Sequence, residues 1–85
     1  MSEKTILGIY LPDRIKGAGL TQKILSKYAG VIINRLGTHE LTQDVCSRQG
    51  LILLVLQGEE KKQYELEKEL LEIGGIKIEK MIFKY

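Results

Sequence analysis

Residues Gly50 to Gly58 read GLILLVLQG, an unbroken apolar run from Leu51 to Leu56 closed by a glycine at each end. A strand with one wet face alternates apolar and polar residues. This run does not alternate, so both faces of its strand are expected to be dry. Two helices of a short chain cover one side of a sheet, and a second copy of the protein is expected to cover the other. The chain has 85 residues, which gives one domain, residues 1–85. A domain of this length buries only roughly 60–65% of its unfolded surface, so added burial through association has a clear physical use. Cys46 is the only cysteine, so no disulfide within the chain supplements the core.

The rest of the chain supplies the partners of that strand. Thr5 to Leu11 (TILGIYL) is β-branched and aromatic and stops at Pro12-Asp13, which predicts the first strand. Leu20, Ile24, Leu25 and Tyr28 recur at helical spacing and predict the first helix, with Gly30 as its stop. Val31 to Leu36 is the second strand, ended by Gly37, and the polar stretch 38–49 is the long connection to the third strand, Leu51 to Gln57. Glu59 and Glu60 open a second helix, where carboxylates suit the positive end of the dipole. Its apolar stripe is Tyr64, Leu66, Leu70, Leu71 and Ile73, and Gly74-Gly75 ends it. The fourth strand runs from Ile76 to about Lys84, with apolar residues on both parities. That pattern fits either a bulge near Glu79-Lys80 or two partly buried faces.

The order is β-α-β-β-α-β. With right-handed crossovers it gives an α+β, ferredoxin-like split sandwich: an antiparallel four-stranded sheet with two helices on one face. The two most continuously apolar strands, the first and third, are the two this topology places at the centre.

Composition narrows the function. Apolar residues make up 44% and charged residues 28% of the chain, which argues against disorder. A net charge of +2, evenly spread, does not mark a nucleic-acid surface, and the strands lack the aromatic pairs of an RNA-binding sheet. The start, MSEKTILGIYLPDR, lacks the pattern of a signal peptide, and no run approaches a membrane span. With its lone cysteine, the chain is expected in a reducing cytoplasm.

Four groups of residues carry candidate chemistry. Lys16, Gly17 and Gly19, with Arg14 nearby, precede the first helix and can present backbone N–H groups to an anion. The plainer reading is a flexible loop, since neither a Walker pattern nor GxGxxG is present. Asn34, Arg35 and Gly37 end the second strand, where the arginine fork suits a carboxylate or phosphate. An edge-strand charge that blocks unwanted pairing is the other reading. His39 and Cys46, with Glu40 and Asp44 near, are the soft ligands available to nickel or zinc, drawn from two subunits. The same two residues also form a minimal Cys–His pair, but no residue pattern specifies its oxyanion donors.

Two segments carry a resemblance. SKYAGVIINRLG (Ser26 to Gly37) and GLILLVLQG, followed by a charged helix and GGIKIEKMIF (Gly74 to Phe83), resemble the iron-only hydrogenase system regulators. They are also similar to the C-terminal ligand-binding domain of nickel-responsive transcriptional regulators. The resemblance covers about residues 20 to 83 and implies an ACT-like domain. The position that matches the nickel regulators' ligand cysteine is Gly50 here, four residues after Cys46, and only His39 stands for their histidines. The ribbon-helix-helix DNA-binding segment of those regulators is expected to be missing, so action on transcription is expected to run through a regulatory protein partner or through a surface that no motif marks.

The reading that follows is a stand-alone, non-enzymatic, ACT-like regulatory domain. It is expected to sense a small ligand through a homo-oligomer, a dimer or tetramer, with the first and third strands in the subunit contact. The ligand is expected at the Lys16 to Gly19 loop or at the Asn34 to His39 strand end, with Asn34, Arg35 and Gly37 as its residues. A metal-responsive sensor using His39 and Cys46 across subunits is the second reading. A small hydrolase of the same fold, using Arg14 and Asn34 on an acyl phosphate, is the third.

Overall fold

A computed structural model describes residues 2–12, 18–38 and 50–85. The elements are β1 (Glu3–Leu11), α1 (Ala18–Lys27), a short 3-10 turn (Ala29–Val31), β2 (Ile32–Thr38), β3 (Gly50–Leu56), α2 (Glu60–Leu71) and β4 (Lys77–Lys84). All three strand pairings are antiparallel and the sheet order is β2-β3-β1-β4. This is the ferredoxin-like fold the sequence predicts, with β1 and β3 at its centre. Among the described residues no helix is long and apolar enough to cross a membrane.

The strand register separates two faces, because directly paired residues share a face. Thr5, Leu7, Ile9 and Leu11 of β1 alternate as buried positions, and Leu54 and Leu56 of β3 join them. Ile24, Leu25 and Tyr28 of α1 and Leu66 and Leu70 of α2 close over this side. The core is therefore one layer between the sheet and the helices. Leu20, Tyr64 and Leu71, which spacing places on the apolar stripes, are exposed instead. A helix over a flat sheet buries a narrow strip, and these three side chains lie outside it.

The opposite face carries no helix. Its cross-strand rows are Asn34–Val55–Ile6–Met81 and Leu36–Leu53–Gly8–Glu79, flanked by Leu51–Tyr10–Lys77 at one end and Lys4–Phe83 at the other. The chain continues past β4 as a backbone pair between Ser2 and Tyr85 (2.7 and 2.8 Å), and the Lys4 ammonium lies 5.7 Å from the centre of the Tyr85 ring. Strand β3, expected dry on both sides, is dry on one: within a single chain Leu51 is exposed and Leu53 and Val55 are half-buried.

Three local features differ from the sequence expectation. The β1–β4 register runs without a shift from Glu3–Lys84 to Tyr10–Lys77, so β4 has no bulge and carries apolar residues on both faces. A register shift sits instead in β2, between Ile32 and Asn34. It leaves Ile33 exposed and returns Ile32 to the core side. Helix α1 ends at Lys27, before Gly30, and β2 continues through Gly37.

Candidate functional site

On the helix side, the end of α1 and the start of α2 enclose a cleft of about 450 Å³ lined by Lys27, Tyr28, Gly30, Val31, Gly58, Glu59, Lys62 and Glu65. Its floor is tied together by backbone bonds. The Gln57 N–H donates to the Val31 carbonyl at 3.0 Å, which locks the end of β3 to the 3-10 turn. Gly58 sits at φ +116°, a conformation that favours glycine, and its carbonyl accepts from Gln63 Nε2 at 3.1 Å. The first turn of α2 has no side-chain cap at Glu59. The Lys62 ammonium is held only loosely by Glu65, at 3.8 Å.

Glu69 joins the two helices at the edge of the cleft. The Tyr28 hydroxyl and the Lys27 ammonium both donate to its Oε2, the latter at 2.9 Å. The ammonium also lies 5.4 Å from the centre of the Tyr28 ring. The Tyr28 hydrogen bond, and then that of Lys27, holds the Glu69 carboxyl below the usual glutamate range. The bond to Glu69 raises Lys27, and it raises Tyr28 with help from desolvation. These shifts fix the sign of a pH effect. The Glu69 contribution is present at neutral pH and is lost as pH falls through its depressed value, below 4.5. The Lys27 and Tyr28 contributions are present below their ordinary values of 10.5 and 10.0 and fade above them. Melting of wild type and Glu69→Gln compared from neutral to acid pH should show wild type ahead at neutral pH and the two converging at the acid end. A gap that stays constant with pH would contradict this account.

The structure does not gather the residues that the sequence singles out. Lys16, Gly17, His39 and Cys46 lie outside the described residues, as does Arg14. Gly19 is exposed in the first turn of α1, with open space where a Cβ would stand. Asn34 pairs with Val55 on the open face, whereas Arg35 pairs with Leu54 on the helix side and donates to Gln22 Oε1 at 3.0 Å. Gly37 shares the helix side with Arg35 and also has open space around it. Asn34 and Arg35 therefore point to opposite faces and do not form one site. Among the described residues no group of three or more His, Cys, Asp or Glu is placed to hold a metal ion. Sequence reasoning missed Lys27, Lys62 and Glu69, and took Tyr28 only as a core residue. Lys27 and Glu69 are 42 positions apart, and no local spacing reveals their meeting.

No family model matches the chain, and no curated protein matches it. Solved structures do. The uncharacterized protein TM1266 from Thermotoga maritima is 23% identical, with a TM-score of 0.79 over 96% of this chain and 99% of that one. CPII, a nitrogen regulatory PII-like protein from Thiomonas intermedia K12 bound to ADP, AMP and bicarbonate, is 9% identical, with a TM-score of 0.61 over 98% of this chain and 94% of that one. CutA1 from Oryza sativa is 11% identical, with a TM-score of 0.64 over 99% of this chain and 83% of that one. At these identities the likeness is one of fold: a small ferredoxin-like α+β domain.

Proposed function

We propose that this protein is an ACT-like regulatory domain. It binds a small anionic or zwitterionic molecule in the cleft between α1 and α2 and reports occupancy through a homo-oligomer. The observation that carries this reading is the cleft itself, lined by Lys27, Lys62 and Tyr28 together with the carboxylates of Glu59 and Glu65 beside the turn at Gly58. Concave sites with a few convergent polar groups are where small ligands bind. The PII-like CPII, of the same fold, was solved with nucleotides and bicarbonate, which supports a ligand role on this scaffold.

The protein acts by binding rather than turnover. The titratable groups at the cleft edge are one another's partners: Glu69 already accepts from Tyr28 and Lys27. An anion that draws the Lys27 ammonium into the cleft weakens the tie between the helices. A ligand shifts an assembly only through a difference in its affinity for two states, and this tie supplies the difference. The output is a changed contact with a regulatory protein partner.

Native mass spectrometry with thiols reduced, followed by thermal-shift titration with adenine nucleotides, amino acids, bicarbonate, nickel and zinc, tests the reading. A small organic or inorganic anion should raise the melting temperature, and Lys62→Ala should weaken its binding about tenfold, as expected for loss of one charge-assisted contact. Affinity unchanged by Lys62→Ala would remove the cleft as the site. Stoichiometric nickel or zinc binding with no anion effect would favour the metal-responsive reading.

A further inference from the structure

The open face of the sheet has an apolar centre that spans all four strands and charges only at its margin. Leu36, Leu53, Val55, Ile6 and Met81 hold five of the eight positions in the two middle rows, with Gly8 among them and Asn34 and Glu79 on the edge strands. Lys4 and Lys77 lie in the end rows and Glu79 on the edge strand. An apolar centre with a polar rim is the anatomy of a protein interface.

Gly8 is an independent sign of an occupant. It lies in the middle of central strand β1, and its φ is not positive. A Cβ built there would stand 3.6 Å from Leu53 Cδ2 and 3.8 Å from the Glu79 carbonyl, both ordinary contacts. The packing of the chain on itself therefore does not require glycine at this position. Glycine weakens a strand interior and often marks the close approach of something from outside. Here it leaves a notch in the open face, bordered by Leu53 and the β4 backbone.

The geometry points to a second copy of this chain as the occupant. Two open faces pack about a two-fold axis, and a large apolar side chain of each copy sits over the Gly8 of the other. This inference rests on the homo-oligomer reading above and assigns its surface. Size supports it. Strands of 7 to 9 residues at ~3.3 Å per residue, four of them ~4.8 Å apart, span roughly 25 by 19 Å. Allowing for side-chain relief, that is on the order of 700 Å² of accessible surface, against about 800 Å² per partner in a stable complex. The same face supplies its own projecting groups, since Leu36, Met81 and Phe83 are each more than half exposed. Its rim carries both signs, so a two-fold axis can bring unlike charges together.

Sedimentation velocity from about 10 nM to about 100 µM, wide enough to follow a thirtyfold change because interfaces of this size bind from the micromolar range downward, tests the assignment. The samples are wild type, Leu36→Lys and Gly8→Val, each checked for folding by circular dichroism. Leu36 is 58% exposed, so a single chain tolerates lysine there. Valine suits a strand and should leave the folded monomer at least as stable. Wild type should associate, and each variant should raise the dissociation constant at least about thirtyfold, the size of an interface hot spot. A monomeric wild type at the top concentration would overturn both this assignment and the homo-oligomer reading. Folded variants that associate like wild type would overturn the assignment alone. Should Gly8→Val fail to fold, Leu36→Lys decides the question.

Discussion

Leu54→Ala is expected to lower the unfolding free energy by about 3 kcal/mol, within the usual range for a fully buried leucine cut to alanine. Leu54 lies in central strand β3, opposite Leu7, with no exposed surface, and belongs to the cluster that includes Leu66 and Leu70 of α2. Nothing nearby can fill the space, because the sheet holds one side and two helices hold the other. A domain of this size is held by only roughly 5–10 kcal/mol, so this one change removes a large share. Its neighbour Leu53 is the control. It points to the open face and is half-buried in a single chain. Leu53→Ala in dilute, dissociated protein should cost only about 1 kcal/mol. Its cost should grow with protein concentration as association adds to stability. Urea unfolding of both variants at two protein concentrations reads both effects. Equal costs at all concentrations would mean that the two faces of β3 are not distinguished as the register implies.

The contrast between Leu53 and Leu54 also shows how far the sequence reaches. The run from Leu51 to Leu56 announces a central strand, and the matching character of TILGIYL announces its neighbour, because burial on both sides of a sheet leaves a continuous apolar signature. Strand order follows from topology once those two are central. The sequence does not state which half of the run a helix covers, since both halves are equally apolar. The β2 irregularity is a sharper case. One extra residue between Ile32 and Asn34 decides which side chains face the helices, and nothing in VIINRLG marks it. Asn34 and Arg35 look like one strand-end cluster in the sequence and point to opposite faces in the fold. The Lys27–Tyr28–Glu69 junction was equally hidden, because it depends on how two helices lie side by side on the sheet. Local chemistry is legible from spacing, whereas a site assembled across crossovers is not.

Among the glycines Gly8, Gly19, Gly30, Gly37, Gly58, Gly74 and Gly75, substitution by alanine should cost most at Gly75, by about 2–4 kcal/mol, and for two separable reasons. Gly75 has φ +83°, where an L-residue pays about 1–2 kcal/mol. A Cβ there would also stand 2.8 Å from Cγ of Pro12, a ring that cannot swing away, and relieving such a clash costs typically 1–3 kcal/mol. Neighbouring Gly74 has neither problem: its φ is not positive and a Cβ would meet nothing within 4 Å. Gly74→Ala should therefore be neutral or slightly stabilising, through a less disordered unfolded chain. Urea denaturation of the two single variants and of Gly75→Ala with Pro12→Ala divides the cost. The double variant should relieve the clash and keep the backbone penalty, so coupling of at least about 1 kcal/mol between positions 12 and 75 is expected. Purely additive costs would mean that the two turns do not touch.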